Sequence, residues 1–164
     1  MSQQSQPEVS PSHTPTTHKP TEPTSTSSSE VSLIAVAPTE LRDVWPVIEP
    51  LMIQVIDGSH DTYTMPTLLE DVMAGQVRLW AVVQERGVRA LVGTEIVQSR
   101  SGLVSCVIRF CVGKRLNDWI HLIDEIEEYA RAAGCDRLET WARKGWAKHL
   151  PDFKLTHILL EKDL

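Results

Sequence analysis

The sequence predicts an α/β (α+β) fold with a mixed, mostly antiparallel central sheet flanked by helices. Residues 79–112 hold three runs rich in β-branched and aromatic residues, joined by short turns that end in Gly87 and Gly102, the pattern of an antiparallel meander. Residues 116–133 then read as a long amphipathic helix, with Trp119, Ile123, Ile126, Ala130 and Ala133 at spacings of three and four. A further strand at 137–141 follows that helix, so it should lie parallel to strand 103–112 through a right-handed crossover.

The chain of 164 residues allows one domain of ordinary size and a tail. Ser, Thr and Pro make up 19 of the first 30 residues, and a segment so poor in apolar side chains cannot offset its ordering entropy. Residues 1–30 are therefore expected to be a disordered tail, and residues 31–164 the folded domain. His13 and His18 in the tail have no carboxylate or cysteine at ligand spacing, so no metal is assigned to them.

The domain opens with an alternating strand at 31–36, closed by Pro38, with Thr39 as the expected N-cap of a helix over 40–56. Pro46 and Pro50 inside that helical pattern predict a kink or a break into two pieces. Residues 59–64 are a polar loop whose most reactive side chains are His60, Asp61 and Tyr63, and Pro66 opens a second helix over 65–74. After the long helix and the strand at 137–141, residues 145–150 read as a short helix and 155–161 as a last strand.

A net charge of −6 argues against a nucleic-acid binder. Three scattered cysteines without a CxxC pair suggest neither a disulfide framework nor a zinc site, and strand periodicity puts Cys106 and Cys111 on opposite faces. No apolar run approaches the ~18 residues of a membrane span, and no signal peptide is evident. These features predict a soluble cytoplasmic protein with no metal, nucleic-acid or membrane partner.

The candidate site is the junction between strand 103–112 and the long helix. Gly113, Lys114 and Arg115 place a glycine and two cations before a helix start, where free N–H groups favour an anion. The alternative is a pair of solvated cations at a strand end. Glu95, in the meander, is a candidate general base if burial raises its pKa, or else the ion-pair partner of Arg109 or an exposed edge residue.

The order of elements resembles the GNAT N-acetyltransferase superfamily over residues 31–164. The resemblance rests on the meander, the strand–glycine–helix junction at 112–115, and the small-residue helix and aromatic turn over 145–153 before the final strand. The start at 41–51, Trp80 and the terminus at 160–164 look more narrowly like acetyltransferase-like proteins encoded among virion genes of tailed bacteriophages. The resemblance implies acetyl-CoA as co-substrate, a thioester polarised by backbone N–H at Phe110, Cys111 and Val112, and pyrophosphate bound by Gly113, Lys114, Arg115, Leu116 and Asn117. It also implies direct attack by an amine acceptor, with no covalent enzyme intermediate.

Two departures from the family pattern stand out. Phe110 takes the Arg/Gln position of Arg/Gln-x-x-Gly-x-Gly/Ala, and Arg115 stands where a second glycine belongs, where bulk would obstruct the approach of pyrophosphate. The tyrosine acid of many members is missing from the short helix near the end, where His149 is a substitute by location. The implied function is acetyl transfer from acetyl-CoA to an unidentified amine. The alternative is a catalytically inactive GNAT-fold protein of a phage virion or its assembly, meeting phage structural proteins in the virion or the host cytoplasm, with the tail as tether.

Overall fold

The structure is a computed structural model that describes residues 30–59, 62–85, 87–142, 144–157 and 162. Among these, five strands form one sheet in sequence order: β1 Val31–Val36, β2 Val77–Gln84, β3 Gly87–Gln98, β4 Val104–Gly113 and β5 Arg137–Thr140. The β2–β3–β4 meander is antiparallel and β4 pairs with β5 in parallel, as the pattern predicts, and β1 adds to the meander antiparallel to β2. The expected tail lies outside the described residues, apart from Glu30.

Strand alternation builds a core on each side of this sheet. Leu79, Ala81 and Leu91 meet Ile48, Met52 and Val55 of helix α1 (Leu41–Gly58) and Leu68 and Val72 of α2 (Met65–Met73). Val82, Val92, Cys106 and Ile108 face the other way, against Ile126 and Ala130 of α3 (Ile123–Ala132). Between these layers, the buried indole N–H of Trp80 donates to Thr94 Oγ1 at 2.9 Å.

The helices depart from the sequence pattern in ways that have local causes. A 3-10 turn at Pro38–Glu40 precedes α1, so Thr39 lies inside a turn, and the Ala37 N–H donates to Glu40 Oε2 at 3.0 Å. Helix α1 runs unbroken through Pro46 and Pro50, which are both exposed, while Ile48, Met52 and Val55 are buried and hold it on the sheet. At α2, Thr64 and Thr67 exchange side-chain and backbone hydrogen bonds of 3.4 and 3.0 Å, satisfying donors that a helix start leaves free.

The long helix expected over 116–133 is shorter. Its first part is two 3-10 turns, Leu116–Asp118 and Ile120–Leu122, and the α-helix begins at Ile123. Trp119 interrupts it: φ is −135°, the ring is buried, and its indole N–H donates to the Lys114 carbonyl at 3.0 Å. The segment near the chain end is likewise a 3-10 turn, Lys144–Lys148. Residues 155–157 are not in a strand, and the rest of the expected last strand, 158–161, lies outside the described residues.

Candidate active site

The site is organised by one extra residue in β4. Gly93 pairs with Phe110 and Thr94 with Ile108, so Arg109 has no partner across the ladder: β4 is bulged there. The bulge resets the alternation. Ile108 and Cys111 both pack toward the α3 core, whereas Phe110 and Val112 pack toward α1 and α2. Cys106 and Cys111 therefore share a face, which corrects the assignment from an unbroken period of two.

Glycine permits the bulge. A Cβ on Gly93 would lie 2.2 Å from the ring of Phe110, so that ring occupies the space a side chain would take. Tyr63, on the α1–α2 connection, meets Phe110 edge-on with ring centroids 6.3 Å apart. Arg109 donates from Nε to Glu95 Oε2 at 2.5 Å, and its guanidinium carbon lies 5.0 Å from the centroid of the exposed Trp141 ring.

Strand β5 pairs with β4 only from Ser105–Arg137 to Ile108–Thr140. Beyond that point the two strands part. A cavity of about 610 Å³ opens in the gap, with residues 108–113 along one wall and Thr140, Trp141 and Ala142 along the other. Gln54, Ser59, Thr62 and Tyr63 line it from the α1–α2 side, and Leu116, Trp119 and Trp146 from the opposite side. Past Ile108 no described strand pairs with the β5-facing edge of β4, so alternate residues there turn backbone N–H and C=O groups into the cavity.

Of the residues singled out from sequence, Phe110, Cys111, Val112, Gly113 and Leu116 line this cavity. Lys114, Arg115 and Asn117 are on the adjoining loop without lining it. Glu95 stands behind Arg109 as its ion-pair partner and is also absent from the lining. His149 does not line it and is half-buried, with its backbone N–H donating to the Trp146 carbonyl at 2.8 Å. His60 and Asp61 lie outside the described residues.

Two features of the loop differ from the expectation of a helix N-terminus. Gly113 has φ of +146°, and a Cβ there would stand 2.4 Å from the Ala90 Cβ and 2.7 Å from the Arg89 carbonyl oxygen. Close packing on β3 therefore already requires this glycine. Arg115 adopts φ 55° and ψ 53°, the left-handed conformation that glycine would take, and pairs with Asp118 at 2.7 Å with its side chain 80% exposed.

Burial favours the neutral forms of two side chains that line the cavity, Tyr63 and Cys111. Burial raises the Tyr63 pKa; the Arg109 charge opposes this, while Glu95 and Asp71 reinforce it. Burial pushes the Cys111 thiol up to about 12, so it is no thiolate nucleophile at neutral pH. Among the described residues no group of three His, Cys, Asp or Glu side chains could hold a metal ion, and no helix is long and apolar enough to cross a membrane.

Tyr63, expected as a reactive loop side chain, and Arg109, expected as an ion-pair partner of Glu95, both line the cavity, whereas Trp141 reads from the sequence only as the end of a strand. The one sequence sign of the bulge is Gly93 in the middle of an otherwise β-rich run.

No protein-family model and no curated protein matches the sequence. Solved structures do match. An aminoglycoside acetyltransferase from an uncultured soil metagenomic sample, solved with trehalose, gives a TM-score of 0.60 at 11% identity over 82% of this chain and 96% of that one. The ribosomal-protein-alanine N-acetyltransferase of Brucella melitensis biovar Abortus 2308 gives 0.58 at 8% identity, over 82% of this chain and 100% of that one. A Trypanosoma brucei acetyltransferase gives 0.56 at 12% identity, with the same coverages of 82% and 100%. At such identities the likeness is one of fold alone, and the chain has the mixed, mostly antiparallel α/β fold of the GNAT acetyltransferases.

Proposed function

We propose that the protein transfers an acetyl group from acetyl-CoA to an amine. The observation that carries this reading is the gap between β4 and β5, where the bulged strand turns an unpaired backbone edge into a cavity of about 610 Å³. Backbone N–H groups over Phe110–Val112 would polarise the thioester carbonyl there, being fixed donors aimed at an oxygen that gains negative charge. The amine nitrogen attacks the carbonyl carbon, the carbon–sulfur bond breaks, the sulfur takes up a proton and the nitrogen releases one. Tyr63, which lines the cavity and whose hydroxyl pKa burial raises, is suited to give the proton to sulfur.

In this reading the backbone of Gly113, Lys114, Arg115, Leu116 and Asn117 takes the pyrophosphate. The conformation of Arg115 supports it, because the backbone turns as a glycine would while the side chain is directed to Asp118. Glu95 and His149 do not line the cavity, so a role for either as base or acid would need a relay through water.

Acetyl-CoA at 100 times its dissociation constant should stabilise the fold by about 2.7 kcal/mol, read as a rise of several degrees in the melting temperature. If neither acetyl-CoA nor free CoA shifts the melting curve at millimolar concentration, the enzymatic reading fails. The reading that would replace it, an inactive GNAT fold in a phage virion or its assembly, is favoured by Phe110 and Arg115 at positions where the family pattern has Arg/Gln and glycine. Mass spectrometry of purified particles would then decide it.

A further inference from the structure

We infer that Arg109 is a carboxylate subsite, so that the acceptor amine is an aromatic amino acid or a closely similar amino-carboxylate. This rests on the acetyl-transfer reading above and names the substrate class of the same cavity. The bulge puts Arg109 and Phe110 together on the side of the sheet that faces α1 and α2, while Cys111 turns toward α3. The cavity thus has two sides that meet at the open edge of β4. With Leu116 and Trp119 on the side of the 113–117 loop, the side bounded by Tyr63, Phe110, Arg109 and Trp141 is left for the acceptor.

The guanidinium is held from two directions. Nε is committed to Glu95, and the Trp141 ring stacks against the group at 5.0 Å. Only a quarter of the side chain is exposed, at 25%. Its two terminal Nη groups make no hydrogen bond among the described residues, and they are not sealed from solvent, since no buried side-chain nitrogen there lacks a partner. A planar fork, fixed in orientation and open at its Nη edge, matches a carboxylate in bidentate geometry. The aromatic faces of Tyr63, Phe110 and Trp141 suit a flat apolar side chain next to that carboxylate. A polycationic amine entering the same side would meet the Arg109 charge at close range.

The alternative role for Arg109 is a strut that ties Glu95 of β3 to the segment after β5, and substrate pairs separate the two. L-phenylalanine and L-tryptophan are compared with phenethylamine and tryptamine, which lack only the carboxylate, by calorimetric binding to the full chain and by thiol release with acetyl-CoA. The amino acids should be preferred by about 10-fold or more, and Arg109→Gln should bring the ratio close to one. Arg109→Lys should keep part of it. Trp141→Ala removes one of the two supports of the guanidinium, so it should weaken both members of each pair and lower the ratio part of the way toward one. If Arg109→Gln alone does not fold because Glu95 is stranded, Glu95→Gln/Arg109→Gln is read in its place.

Equal use of both members of a pair, binding of neither, or an unchanged ratio in Arg109→Gln overturns the subsite. Thiol release without preference for the carboxylate sinks the subsite and leaves acetyl transfer standing. Arg109-dependent binding of the amino acids without thiol release does the reverse.

Discussion

A side chain on Gly113 would collide with Ala90 and with the backbone of Arg89, at a φ of +146° that side chains rarely adopt. The resemblance assigns this glycine to pyrophosphate, yet the pairing of β4 with β3 demands it whether or not a ligand binds. Gly113→Val should therefore lower the unfolding free energy by roughly 2–4 kcal/mol in the absence of any ligand, measured by urea denaturation. Full wild-type stability in that variant would contradict the packing argument. Loss of acetyl-CoA binding by Gly113→Val is uninformative for the same reason, and Lys114→Ala and Arg115→Ala are the useful probes of the loop. For Arg115→Gly, relief of the left-handed conformation offers about 1 kcal/mol, against a surface ion pair to Asp118 worth about 0–1 kcal/mol. The change in stability should stay within about 1 kcal/mol, so any effect on acetyl-CoA affinity can be read as a binding effect.

At the scale of elements, the legible parts were those whose burial leaves a direct mark on residue spacing or composition. The two N-terminal helices each show one apolar face at helical spacing, and the meander strands, packed on both sides of the sheet, read as apolar runs between glycine-containing turns. The bulge at Arg109 was not legible, because an inserted residue leaves composition unchanged and alters only which side chains share a face. The turns ahead of α3 were missed for a related reason. Trp119 falls on the apolar stripe of an ideal helix, and its spacing says nothing of an indole N–H bonded to the Lys114 carbonyl. Of the site, the cavity wall at 110–113 was visible, whereas Tyr63 and Trp141 enter it only through tertiary placement. The buried Trp80–Thr94 hydrogen bond gives the sheet a test of its own. Thr94→Val keeps the shape but strands the indole N–H, at about 1–3 kcal/mol in urea unfolding. Adding Trp80→Phe should cost less in that background than in wild type, because the stranded donor is gone. Strict additivity of the two substitutions would show that the bond contributes nothing.

For the whole molecule, the sheet divides two cores, and burial on its α3 side sets the response to alkali. Cys106 lies fully inside that core and Cys111 and Cys135 pack against it. Burial is the first cause of a raised thiol pKa at all three, reaching about 11 for Cys106 and about 12 for Cys111, from an ordinary 9.0. On the other side Tyr63 is raised as well, again chiefly by burial. Each of these groups is neutral when protonated, so the folded state holds its protons to a higher pH than the unfolded chain does. The stabilisation is fully present below about pH 9, where both states keep the thiol protons. It is lost as pH rises through 9 toward 12, because the unfolded chain releases protons that the folded one retains. For Cys106 alone, held two pH units above its ordinary value, the loss is on the order of 3 kcal/mol across that window. Urea midpoints measured from pH 8 to pH 11 should fall steadily in the wild-type protein. Cys106→Ala begins from a lower stability, because it leaves a small cavity, but its midpoint should fall less steeply because the ionisable group is absent. Parallel slopes for the two proteins would show that the Cys106 thiol ionises alike in both states, and its burial would then carry no linkage to folding.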